Sequence, residues 1–176
     1  MIKRKIAELE KAFDKAVILL HGTKSIDRSA NELLELLVKA LGCEWGTFWK
    51  VERNILRATS TWSAPLVKAP ALNADTFNRT LTMSSGTAGH VWRSRKPVWT
   101  VDLISDMCLP RSIEARNAGL HGGVWFALKT DQAVYGVVEL LGKELPHGTD
   151  EVLAAVENLG IRLGRLIEES EGQSKI

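Results

Sequence analysis

The stretch SSGTAGHVWRSRKPVWTVDL, Ser84 to Leu103, raises the first chemical question, because Gly86 and Gly89 stand three apart ahead of a short apolar and basic run. Glycines at the start of a helix leave backbone N–H groups open to an anion. A dinucleotide site needs G-x-G-x-x-G, and a phosphate loop needs G-x-x-x-x-G-K-[ST]. The stretch holds neither. The pair reads as a tight backbone path that lets Val91 and Trp92 pack on the core, with Ser85 and Thr87 as weak anion donors. The chain has no G-x-S-x-G elbow, so a serine hydrolase is not expected. No His, Cys, Asp or Glu residues fall at metal-ligand spacing, and no metal is expected.

Other reactive side chains are scattered. Cys43 and Cys108 belong to no CxxC pair, which points to a reducing compartment and a cytoplasmic location. Arg111, after Pro110, has a guanidinium fork suited to a carboxylate ligand; a salt bridge within the fold is its other role. Among the acidic residues, Asp102 and Glu139 have capping of the next turn and a solvent-facing strand position as their structural roles. Neither is taken as catalytic. The chain carries 6 Trp against 1 Tyr. Most should form an aromatic core, and one or two should line a ligand pocket. Trp45 and Trp49 share one strand face.

These residues need a scaffold. With 176 residues, 45% hydrophobic and 25% charged, the chain suits one globular domain. The net charge of +2 comes from basic residues spread along the chain, which gives no nucleic-acid footprint. No apolar run approaches the ~20 residues that span a bilayer, and the N-terminus lacks a signal-peptide core. No membrane partner is expected.

Ile2, Ile6, Leu9, Phe13, Ala16 and Leu20 mark a heptad seam over an N-terminal helix, residues 1–22. Val152, Val156, Leu159, Leu163 and Leu166 mark a second seam in a C-terminal helix and tail, residues 149–176, opened by Thr149. Both helices either lie on their own domain or pair in a dimer. Ser29-x-x-Glu32 reads as the capping box of another helix. Alternation then predicts strands through Cys43–Val51 and the segment NILRATSTW, joined at Arg53-Asn54. Pro65 and Pro70 break structure, a short helix opens at Asn73, and another covers HVWRSR. PVWTVDL, GGVWFALK and AVYGVVELLGK read as strands, and a helix ends at Gly119. The order implies an α+β domain, residues 23–148, with a mainly antiparallel sheet.

Taken in sequence, SSGTAGHVWRSRKPVWTVDL, LPRSIEARNAGLHGGVWFAL and VYGVVELLG resemble the successive signatures of a GAF domain, from about Ile26 to Leu166. The resemblance implies a GAF/PAS-like five- or six-stranded antiparallel sheet with the terminal helices on one face. The other face would form a cup closed by residues 64–82 and 104–118. Trp62, Phe77, Trp99, Asp102, Cys108, Arg111 and Trp125 are its candidate ligand contacts.

The family's bilin photoreceptors place a histidine after the chromophore cysteine, whereas Leu109 follows Cys108. Its cyclic-nucleotide signature is not matched by NADTFNRT, and His90 or His121 beside turns make poor haem ligands. No cofactor is expected. The resemblance implies a non-catalytic bacterial sensor or regulatory module, as in two-component systems. It would bind an unidentified small molecule, form a homodimer and serve an output domain such as a histidine kinase or cyclase. The alternatives are a thiol-dependent enzyme of the free methionine sulfoxide reductase kind and a dimerisation module with no ligand.

Overall fold

The computed structural model describes residues 1–23, 26–105 and 110–173. Helices α1 (Ile2–Thr23) and α2 (Ile26–Leu41) lead into strands β1 (Trp45–Glu52) and β2 (Ile55–Ser63). Then follow α3 (Pro70–Asn78), β3 (Thr80–Leu81), α4 (Gly86–Ser94), β4 (Val98–Thr100) and α5 (Ser112–Asn117). The chain returns through β5 (Gly122–Lys129) and β6 (Val134–Gly142) to α6 (Asp150–Gln173). The six strands pair antiparallel in the order β3-β2-β1-β6-β5-β4.

Strand alternation sorts the side chains onto two faces. Phe48, Val124, Phe126, Val138 and Leu140 meet α1, α2 and α6. Trp45, Trp49, Trp125, Val137 and Leu141 meet Leu72 of α3, Val91 and Trp92 of α4, and Ala115 of α5. β6 is buried on both faces from Gly136 to Gly142, so the central sheet is a sandwiched layer.

Most of both heptad seams is buried within this chain. Leu9, Val152, Val156, Leu159 and Leu163 are buried against the helix-side core, and Phe13 and Leu166 pack against it half-buried. Ile6 is half-buried and Ile2 exposed. A two-heptad apolar stripe is also the pattern of a helix lying on its own sheet, and that is its use here.

Three local expectations are corrected. α2 begins at Ile26, so Ser29 lies inside the helix, fully buried, and is no N-cap. Pro70 starts α3, because the first helical turn has no intrahelical use for its missing N–H. The glycine pair lies at the start and within α4: Gly86 has φ +60°, while a Cβ on Gly89 would sit 2.1 Å from the Thr82 carbonyl oxygen. The pair makes the expected tight path as a turn and a close approach; what changes is the helix, which opens at Gly86 instead of at HVWRSR.

Candidate functional site

The buried polar chemistry gathers on the face of the sheet covered by α3, α4 and α5. Arg111 sits at the N-terminal boundary of α5, and only 1% of it is exposed. Its Nη2 donates to both Glu139 carboxylate oxygens at 2.8 Å, and its Nη1 donates to Thr76 Oγ1 at 2.6 Å. Trp49 Nε1 donates to Glu139 Oε2 at 2.8 Å. The guanidinium carbon lies 5.1 Å from the centroid of the Trp49 ring and 5.9 Å from that of Trp45. Trp45 Nε1 in turn donates to Asn73 Oδ1 at 2.8 Å, tying α3 to β1.

A full ion pair therefore lies in the molecule's interior, walled by two indoles and held by a helix on either side. Burying two charges costs several kcal/mol per ion unless geometry and added hydrogen bonds compensate. Glu139 is well compensated, accepting three hydrogen bonds. Arg111 is less so: among the described residues its Nε has no hydrogen-bond partner, and neither does the buried Trp125 Nε1. Ser60 Oγ and Thr87 Oγ1 are likewise buried without partners among the described residues.

The predicted ligand contacts divide. Arg111 and Trp125 lie in this site. Trp62 packs on the helix-side core with Lys39 over its ring, and so leaves the list. Trp99 leaves it too: its indole packs on the same core, lies under Lys5 and donates to the Pro146 carbonyl at 2.9 Å. Phe77 is 45% exposed on α3. Asp102 is exposed and caps its own turn, accepting from Ile104 N, Ser105 N and Ser105 Oγ. The Ser105 hydroxyl first, then the two amides, hold its carboxyl below the usual range. Cys108 lies outside the described residues.

Glu139 was expected to face solvent, and the structure corrects this: it is fully buried. The signal was present in VYGVVELLG, where apolar residues occupy both parities, as in a strand covered on both sides. Thr76 and Asn73 carried no such signal, because their roles arise only when α3 folds over β1.

Cys43 lies on the other face, in the helix-side core, and its thiol is pushed up to about 12 by burial above all. Among the described residues, no group of three or more His, Cys, Asp or Glu is placed to hold a metal. Among them, too, no helix is long and apolar enough to cross a membrane.

A six-stranded antiparallel sheet, with the terminal helices on one face and short crossover helices on the other, matches the GAF fold. The family model described as GAF domain matches residues 23–168, and the chain belongs to that family. Solved structures agree on the fold. The GAF domain from a phosphoenolpyruvate-protein phosphotransferase of Coxiella burnetii is 14% identical with a TM-score of 0.72, over 99% of this chain and 99% of that one. A free methionine-R-sulfoxide reductase from Neisseria meningitidis, in complex with its substrate, is 16% identical with a TM-score of 0.71, over 96% and 93%. The GAF domain/HD domain protein from Geobacter sulfurreducens is 16% identical with a TM-score of 0.65, over 86% and 97%. No curated protein matches the sequence. The neighbours include both GAF domains and reductases, and a shared fold at such identities does not choose between them.

Proposed function

We propose that this chain is a non-catalytic GAF regulatory module. A small molecule enters the cup beside Arg111 and Glu139, and α1 and α6 carry its occupancy to an output domain of the histidine kinase or cyclase kind, from a cytoplasmic bacterial protein acting as a homodimer. The observation that carries the reading is a separation. The buried polar groups lie on the roofed face, while the Cys43 thiol lies on the opposite face, sealed in apolar surroundings and held protonated. A protonated, buried thiol is a poor nucleophile. Thiol chemistry at the cup therefore gains nothing from Cys43.

A thermal-shift screen of metabolites and nucleotides tests the reading. A hit should raise the melting temperature, change tryptophan emission through Trp45 and Trp49, and vanish in Arg111→Met. The same protein should not consume free methionine sulfoxide with dithiothreitol as reductant. Turnover that disappears in Cys108→Ser would replace the sensor reading with the reductase one.

A further inference from the structure

Arg111 looks like a carboxylate receptor, yet its charge is already spent. One terminal nitrogen bridges both oxygens of Glu139, the other terminal nitrogen is on Thr76, and the whole side chain is sealed from water. The pair is neutral as a unit. A carboxylate arriving at this guanidinium would meet a second carboxylate in a poorly screened interior, where like charges repel strongly. Displacing Glu139 would be no easier, since that would leave it buried without its cation. Among the described residues, Arg111 Nε and Trp125 Nε1 still lack a partner. Both are obligate donors. Trp125 stands directly across from Glu139 in the β5–β6 pairing and shares the roofed face with Trp45 and Trp49. Such donors call for an acceptor that brings no charge, such as a carbonyl, an amide oxygen or an unprotonated ring nitrogen.

We propose that the cup is built for an uncharged, acceptor-bearing ligand and that Glu139 imposes this, as a built-in counter-ion that occupies Arg111 and turns carboxylates away. The proposal rests on reading the cup as a ligand site, and it makes Glu139 the residue that sets charge specificity.

The test compares shape-matched probes, acetate with acetamide and benzoate with benzamide, at constant ionic strength on wild type, Glu139→Gln and Glu139→Gln/Arg111→Met. Wild type should gain nothing from either carboxylate over its amide. Glu139→Gln should be stabilised by the carboxylates, by roughly 3–6 °C in melting temperature at ten times Kd, with a change in tryptophan emission. The double variant should lose that gain. Should Glu139→Gln fail to fold, Arg111→Ala supplies the mirror case: it should be stabilised by ethylguanidinium and not by acetate.

The proposal is overturned if wild type is stabilised by carboxylates through Arg111. It is also overturned if Glu139→Gln folds and shows no carboxylate preference, or if Arg111→Ala prefers acetate or responds to neither probe. None of these readouts uses the natural ligand. A metabolite screen that finds nothing while Glu139→Gln gains carboxylate binding would retire the sensor reading and leave the charge assignment of Glu139 standing.

Discussion

Arg111 and Glu139 each make sense only with the other present. Removing one partner strands a buried charge, which costs on the order of 3–5 kcal/mol, whereas replacing both with apolar groups of similar volume is often close to neutral. Arg111→Met should therefore lower the urea midpoint sharply, and Arg111→Met/Glu139→Leu should recover much of the loss. Additive losses would mean that the two side chains do not act as a pair. The sequence exposed Arg111 through its place after Pro110, but it hid the partner, because the contact joins a crossover helix to a strand 28 residues away. Cys43 gives a second test at this scale. Its folded-state pKa lies above the ordinary thiol value, so the unfolded chain releases its proton first as pH rises. The contribution is intact below about pH 8.5, the unfolded thiol value, and is lost progressively as pH climbs toward the folded value near 12. Stability measured by urea across pH 8–11 should fall less steeply in Cys43→Ala than in wild type.

At the scale of elements, α6 shows how closely a helix can be made to lie on a sheet. A Cβ on Gly160 would meet the Ala127 carbonyl oxygen at 2.2 Å, and one on Gly164 would meet that of Lys129 at 2.2 Å. Glycine inside a helix ordinarily costs about 0.5–1 kcal/mol relative to alanine, so Gly→Ala should stabilise an exposed helix. Here the sign reverses, because a backbone carbonyl cannot turn aside as a side chain can. Gly160→Ala and Gly164→Ala should each destabilise by roughly 1–3 kcal/mol, the usual cost of overpacking, read as a drop in melting temperature. Unchanged or raised values would show that α6 rides further from β5. Periodicity made the helices and long strands legible, since apolar spacing is set by the same geometry that buries them. It left open which way each tryptophan points, because strand parity is relative within one strand. Trp62 pairs with Gly46 on one side of a register shift at Phe48/Trp49, and so falls on the helix face while Trp49 falls on the other. Contacts across the sheet fix that choice, and a single strand carries no record of them.

For the molecule as a whole, the terminal helices are bolted to the domain they would report on. Glu10 of α1 accepts from Arg162 Nη1 of α6 at 2.9 and 2.7 Å, and the Arg162 guanidinium lies 3.6 Å from the Phe13 ring centroid. Lys5 reaches from α1 to the Leu41 carbonyl that ends α2, at 2.8 Å, and lies over Trp99 of β4. Trp99 also donates to Pro146 in the link to α6, so β4, α1 and the approach to α6 meet at one indole. A ligand that moved the cup side could shift these helices only by binding one arrangement better than another. This docking decides what seam substitutions do. Leu163 is fully buried in the helix-side core, so Leu163→Glu places a charge among apolar side chains instead of at a subunit contact. It should cost at least about 3 kcal/mol and abolish cooperative unfolding, whatever the oligomeric state. Ile18 of α1, 75% exposed, is the contrasting position. Ile18→Glu should change stability by no more than about 0.5 kcal/mol, and in the proposed homodimer it should lower the sedimenting mass. If instead Leu163→Glu gave a folded monomer with an unchanged melting temperature, the seam would belong to a partner and the packing of α6 on its own sheet would be wrong.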